Sequence, residues 1–169
     1  EKGWTFATAE SCTGGEIAKR FTDLPGASRF FIGGLVTYKN DAKTRLLGID
    51  PELIRQKSAV SYEVAQAMAE GVRTRLGADI GLGVTGIAGP LGDGLHEVGT
   101  VFVSMAVEGQ TYVRELHMGT YRTRSFIRRM AGNHAFDMMR PKDALSIEAA
   151  RRFNESFAYA QAHYFAPQK

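Results

Sequence analysis

The 169-residue chain has a single cysteine, which rules out an internal disulfide and suits a reducing, cytoplasmic setting. Long apolar runs are missing too. None approaches the roughly 20 residues that span a bilayer, so no membrane partner is expected. Strong charge bias is also absent. Lys and Arg number 21 against 18 Asp and Glu, and the net charge of +3 is spread along the chain. That is too little to predict nucleic-acid binding. The four histidines, His96, His117, His134 and His163, lack metal-ligand spacing, and no metal or organic cofactor is expected. There is no internal repeat and no low-complexity tract. No signal-peptide pattern opens the chain, because Glu1-Lys2-Gly3-Trp4 runs straight into a strand and reads as a truncated start. What is present, 44% hydrophobic and 23% charged residues, suits one soluble globular domain able to bury its own core.

Taken in order, Trp4-Thr5-Phe6-Ala7-Thr8 predicts a short strand of aromatic and β-branched residues. A polar turn, Ala9-Glu10-Ser11-Cys12-Thr13-Gly14-Gly15, leads from it into a helix over about 14–22, ended by Asp23-Leu24-Pro25-Gly26. A second strand is expected over 34–38. A short helix over 42–47 follows, with Asn40 or Asp41 as N-cap and Gly48 closing it. Pro51 starts another helical piece. Ser61 caps the clearest helix, in which Val64, Met68, Val72 and Leu76 recur every four residues with Ala65 and Ala69 beside them. Residues 80–85 read as a strand feeding a glycine-rich loop, 98–107 as a buried strand, and 111–117 as its hairpin partner. Ile127, Met130, Ala131, His134, Ala135 and Met138 lie on one helical face, so His134 is expected in the core. Pro141 ends that helix. A last one is expected over 146–164, with Ile147, Ala150, Phe153, Phe157, Ala160 and Tyr164 as an apolar stripe in need of a surface.

Alternating strands and helices that end in an antiparallel pair predict an α/β class. The expected architecture is a three-layer α/β/α domain with a mixed, mostly parallel sheet and helices on both faces. Ligands in such sheets sit at the carboxyl ends of the strands. Three polar loops share that address: 10–15, 38–43 and 85–94. In the first, Ser11 and Cys12 are both candidate nucleophiles, beside free N–H groups at a helix start. Either would have oxyanion donors close by.

Several of these stretches resemble the CinA C-terminal domain family. They are Thr8 to Gly15, Val36-Thr37-Tyr38-Lys39-Asn40-Asp41-Ala42-Lys43, Ala59-Val60-Ser61, Val84 to Pro90, Val98-Gly99-Thr100-Val101, and the basic helix from Arg124 to Arg129. The match covers roughly residues 3 to 140, which are read as one domain over 1–141 with an extra amphipathic tail over 142–169. Active members are nicotinamide mononucleotide (NMN) amidases, which hydrolyse the carboxamide to nicotinate mononucleotide and ammonia. The resemblance implies Ser11 as nucleophile, Lys43 as its base, and a homo-oligomer acting on a small nucleotide. Burial among other cations lowers a lysine's pKa enough for that work. Lys39 is a rival outside the matched position, and Cys12 remains the alternative nucleophile.

Tyr38 is expected to touch substrate or orient Lys43 through its hydroxyl, or else to cap the sheet. Glu10, Thr13 and Gly14 are expected at the substrate, with Glu10 either paired to Lys43 or making a structural hydrogen bond. Thr85 and the N–H groups of Gly86, Ile87 and Ala88 are expected to hold the carboxamide oxygen or the phosphate. Arg124 falls on the family's arginine and is assigned to the phosphate. Arg128, one turn on, either joins it or lies on a solvated face. The chain departs from the family after Gly89-Pro90, where Leu95-His96-Glu97-Val98 replaces a longer loop carrying a Lys-Pro pair. That change keeps a second function open: a non-catalytic nucleotide-binding or regulatory module.

Overall fold

Five strands form one sheet in the computed structural model, which describes residues 3–139. They are β1 (Phe6–Glu10), β2 (Phe31–Val36), β3 (Ile80–Gly86), β4 (Thr100–Val107) and β5 (Gln110–His117), in the order β2-β1-β3-β4-β5. β1 pairs in parallel with β2 and β3, whereas β3–β4 and β4–β5 are antiparallel. The sheet is therefore mixed, as expected, but its pairings are evenly divided rather than mostly parallel. The hairpin partner β5 accounts for one antiparallel ladder. β4 accounts for the other, since the glycine-rich loop turns the chain straight back instead of crossing the sheet.

Helices cover both faces. On one side lie α1 (Glu16–Thr22) and α5 (Arg124–Met138); on the other lies α4 (Tyr62–Leu76), with α2 (Asn40–Leu47) and α3 (Pro51–Lys57) packed on it. β1 alternates accordingly. Phe6 joins Ile17, Phe21, Ile127 and Ala131 in the first core, while Ala7 and Ala9 join Val64, Met68 and Val72 in the second. The periodic faces behave as the spacing predicts. Val64, Met68 and Val72 of α4, and Ile127, Ala131, Ala135 and Met138 of α5, are buried, while His134 is only half-buried. The Gly81-Leu82-Gly83 alternation in β3 also has a cause. A Cβ on Gly81 would sit 2.1 Å from the Ala69 carbonyl oxygen, and one on Gly83 2.8 Å from the Ala69 nitrogen. Only glycine lets α4 approach so closely.

Several boundaries shift. α2 begins at Asn40 with Lys39 as its N-cap, so the expected caps Asn40 and Asp41 lie inside its first turn, and β4 begins at Thr100 rather than 98. β2 begins at Phe31 and ends at Val36, leaving Thr37 and Tyr38 beyond the strand. α1 begins at Glu16, because Gly14 and Gly15 both take positive φ, 61° and 96°, and stay in the turn. Gly48 closes α2 at φ 76° and Ser61 caps α4 by accepting from the Val64 N–H, as anticipated. The expected tail helix over 146–164 lies outside the described residues.

Candidate active site

β1 lies between β2 and β3, and its chain continues to one side while β3 is reached from the other, so a crevice opens at its carboxyl end. The strand ends fix the backbone there. The Thr37 N–H donates to the Glu10 carbonyl at 2.8 Å, and the Ser11 N–H donates to the Val84 carbonyl at 2.9 Å. Ser11 therefore emerges at the centre of the sheet edge.

α2 turns Lys43 inward beneath it. Lys43 is 1% exposed, and its Nζ lies 3.2 Å from Ser11 Oγ, 2.8 Å from the Thr37 carbonyl oxygen and 3.4 Å from that of Tyr38. Burial strips the ammonium of water and lowers its pKa from 10.5 to about 8. A neutral amine that donates to the two carbonyls keeps its lone pair for the Ser11 hydroxyl proton. Lys39, the rival, is exposed and stands at the start of α2.

Cys12 has the opposite environment. Its thiol is 5% exposed within the first core, and burial pushes it up to about 12. A thiol so placed stays protonated at neutral pH, which speaks against it as nucleophile. The next two amides are more useful. Among the described residues, the Thr13 N–H meets no acceptor, and the Cys12 N–H meets none beyond its own thiol sulfur.

Glu10 takes the structural alternative, hydrogen bonding within the fold, in place of pairing with Lys43. Its carboxylate accepts from the N–H groups of Gly15 (3.0 Å), Ile17 (3.1 Å) and Ala18 (2.8 Å). It fills the N-terminus of α1 from within, where negative charge is favoured. The helix start anticipated as an open anion site is thus occupied.

Three further expectations are corrected. The Tyr38 hydroxyl does not reach Lys43; its ring is 56% exposed and its oxygen accepts from Arg124 at 2.8 Å. Tyr38 meets Lys43 through its backbone carbonyl alone. The Thr85 hydroxyl is buried and donates to the Ala59 carbonyl at 2.7 Å, tying down the loop before α4. The Ile87 N–H is committed to the Thr100 carbonyl at 2.8 Å, and Gly86 ends β3 against Val101. Ala88 is buried beside them; of these three amides, the Ile87 N–H alone has another acceptor among the described residues.

Arg124 reaches the rim. It donates to the Tyr38 hydroxyl and to the Gly89 carbonyl at 2.7 Å, so neither acceptor neutralises its charge. Arg128 does not reach solvent freely: it donates to the Thr13 carbonyl from Nε at 3.2 Å and Nη2 at 2.8 Å. Gly14 sits close by, with room for a Cβ only 3.4 Å from that Nη2. The variant loop organises itself. Asp93 accepts from the Leu95 and His96 N–H groups and pairs with His96 Nδ1 at 3.2 Å, leaving Leu91 and Leu95 exposed. The Thr37 carbonyl escaped prediction, since a backbone group leaves no mark in residue type, while the donors expected in this turn fall on the amides of Cys12 and Thr13.

The model of the CinA C-terminal domain family matches residues 1–142. The chain belongs to that family. A CinA-like protein of Desulfovibrio desulfuricans is 52% identical over 149 residues, covering 86% of this chain and 35% of that protein. A CinA-like protein of Gloeobacter violaceus is 48% identical over 148 residues, covering 87% and 34% respectively. The chain thus spans about a third of the length of the curated relatives it matches. Among solved structures, a competence/damage inducible protein from Agrobacterium tumefaciens superposes with a TM-score of 0.78 at 38% identity, covering 81% of this chain and 84% of that one. A CinA superfamily protein from Escherichia coli gives 0.77 at 30% identity, covering 81% and 79%. These solved CinA structures share the α/β architecture described above. No helix among the described residues is long and apolar enough to cross a membrane.

Proposed function

We propose that this CinA domain is an amidohydrolase that converts NMN to nicotinate mononucleotide and ammonia, with Ser11 as nucleophile and Lys43 as general base. The observation that carries this reading is the buried Lys43 Nζ, 3.2 Å from Ser11 Oγ with its pKa lowered to about 8. About a tenth of such lysines are neutral at pH 7, enough for a base whose pKa lies close to working pH. Ser11 Oγ attacks the carboxamide carbon while its proton passes to Nζ. The oxyanion that forms meets the Cys12 and Thr13 N–H groups. The C–N bond then breaks, and ammonia leaves with the proton from Nζ, giving a nicotinoyl ester on Ser11. Water attacks that ester, Nζ takes its proton and returns it to Oγ, and nicotinate mononucleotide departs. Arg124, a rim cation held only by neutral acceptors, offers its charge to the substrate phosphate.

Ammonia release from NMN by the wild type, Ser11→Ala and Lys43→Ala tests this directly. Wild type is expected to turn over, and Lys43→Ala to lose about 10²- to 10⁴-fold in rate. Tight NMN binding without ammonia release by the wild type would overturn the proposal in favour of a non-catalytic nucleotide-binding module.

A further inference from the structure

The turn that carries Ser11 is closed within itself by one bond, from the Gly14 N–H to the Ser11 carbonyl at 3.1 Å. Ser11 is fixed by its N–H to Val84, and Gly15 by its N–H to the Glu10 carboxylate. Between them the chain passes through Gly14, and both Gly14 and Gly15 sit at positive φ, where backbone freedom is widest. The buried Thr13 hydroxyl has no partner among the described residues. Thr13 is instead gripped by its carbonyl oxygen, which accepts two N–H groups of Arg128, alongside the Glu16 N–H at 3.3 Å. That contact joins residues 115 apart in the chain, from the second turn of α5 to the nucleophile turn. Charge-assisted bonds of this kind fix direction as well as distance. The Thr13 carbonyl shares one rigid peptide plane with the Gly14 N–H, which donates to the Ser11 carbonyl; that carbonyl in turn shares its plane with the Cys12 N–H, so holding the Thr13 carbonyl holds the turn that presents both amides.

We propose that Arg128 is a positioning residue. By clamping the Thr13 carbonyl it keeps the Cys12 and Thr13 N–H groups aimed at the oxyanion that forms on Ser11's substrate. The proposal rests on the amidase reading above, and it removes Arg128 from the phosphate-binding role. A misplacement of about 1 Å at such a site costs on the order of 100-fold in rate.

The test uses Arg128→Met and Arg128→Lys in the full chain, with NMN and with nicotinamide riboside, which lacks the phosphate. It adds the rate at which a fluorophosphonate probe labels Ser11. Arg128→Met is expected to lower kcat about 10- to 100-fold on both substrates, with KM held within about twofold. Fluorophosphonate labelling is expected to slow in proportion. Arg128→Lys restores part of both rates, because an ammonium still offers the Thr13 carbonyl a charged donor. A loss confined to NMN and to KM would make Arg128 a phosphate ligand and overturn the proposal. Unchanged kcat in both variants would show that the turn holds itself. Should the wild type act on neither substrate, the amidase reading fails, and labelling alone still decides: equal labelling of all three proteins refutes the clamp, and slowed labelling partly restored by lysine supports it. If Arg128→Met does not fold, Arg128→Lys decides alone, by a reduced kcat at unchanged KM or by no change.

Discussion

Replacing Lys43 by methionine separates what the buried amine costs from what it does. In the unfolded chain its ammonium titrates near 10.5; in the fold, burial lowers that to about 8. Between these values the unfolded chain holds more protons than the folded one, so wild-type stability rises with pH across that window. Below it, the folded state bears the full cost of charging a desolvated amine. At about 1.36 kcal/mol per tenfold change in proton affinity, that cost is about 3 kcal/mol. Methionine keeps the volume of the stem and removes the charge. Loss of the bonds to the Thr37 and Tyr38 carbonyls offsets about 1 to 2 kcal/mol of the gain. Lys43→Met is therefore expected to be more stable than wild type at pH 7, by about 1 to 2 kcal/mol. The pH dependence is the cleaner readout, because the lost hydrogen bonds cancel from it. Wild type should gain about 2.5 kcal/mol on the variant between pH 7 and pH 10. Urea unfolding of both proteins at pH 7, 8, 9 and 10 measures this, provided the m-values agree. A difference that stays constant over that range would mean that the amine is hydrated in the fold, and the general-base argument would go with it.

The same titration sets the rate profile: kcat/KM on NMN should climb with pH to a plateau above a midpoint near 8, and a flat profile from pH 6 to 9.5 would remove Lys43 as base. Cys12→Ala is expected to keep activity within a few-fold, while the native Cys12 thiol, buried and pushed up to about 12, resists iodoacetamide until the protein is unfolded. Rapid alkylation of the folded protein would contradict that burial. Thr85→Val should lower stability by about 1 to 3 kcal/mol, since it strands the half-buried Ala59 carbonyl, and leave KM for NMN unchanged. A raised KM at full stability would return Thr85 to the substrate.

The parts of the fold that were legible are those governed by periodicity. The faces of α4 and α5 follow from Val64, Met68 and Val72 and from Ile127, Ala131 and Ala135, because one helix buries one stripe whatever lies beneath it. The even split of strand pairings was less visible, since β4 and its neighbours read as apolar runs in either direction. Gly81 and Gly83 marked a strand, but their purpose belongs to α4, which presses its backbone against them. Their role exists only once two distant segments meet.

At the candidate site the difference is sharper. Ser11 and Lys43 could be named because serine and lysine are the groups that do this chemistry, and the family match put them together. Glu10, Tyr38 and Thr85 drew functional readings for the same reason, their polar side chains, yet each of those side chains is spoken for elsewhere. Glu10 holds the start of α1, Tyr38 meets Arg124, and Thr85 ties down Ala59. A glycine-bearing turn before a helix looks like an anion site only while its amides are free, and here an acid one residue before the turn takes three of them. What remains for a developing oxyanion is the pair of N–H groups on Cys12 and Thr13, which any residue but proline would supply. An acid at the end of a strand, directly before such a turn, is therefore better read first as the helix's internal cap. The donors left over then locate the reacting atom more closely than the polar side chains do.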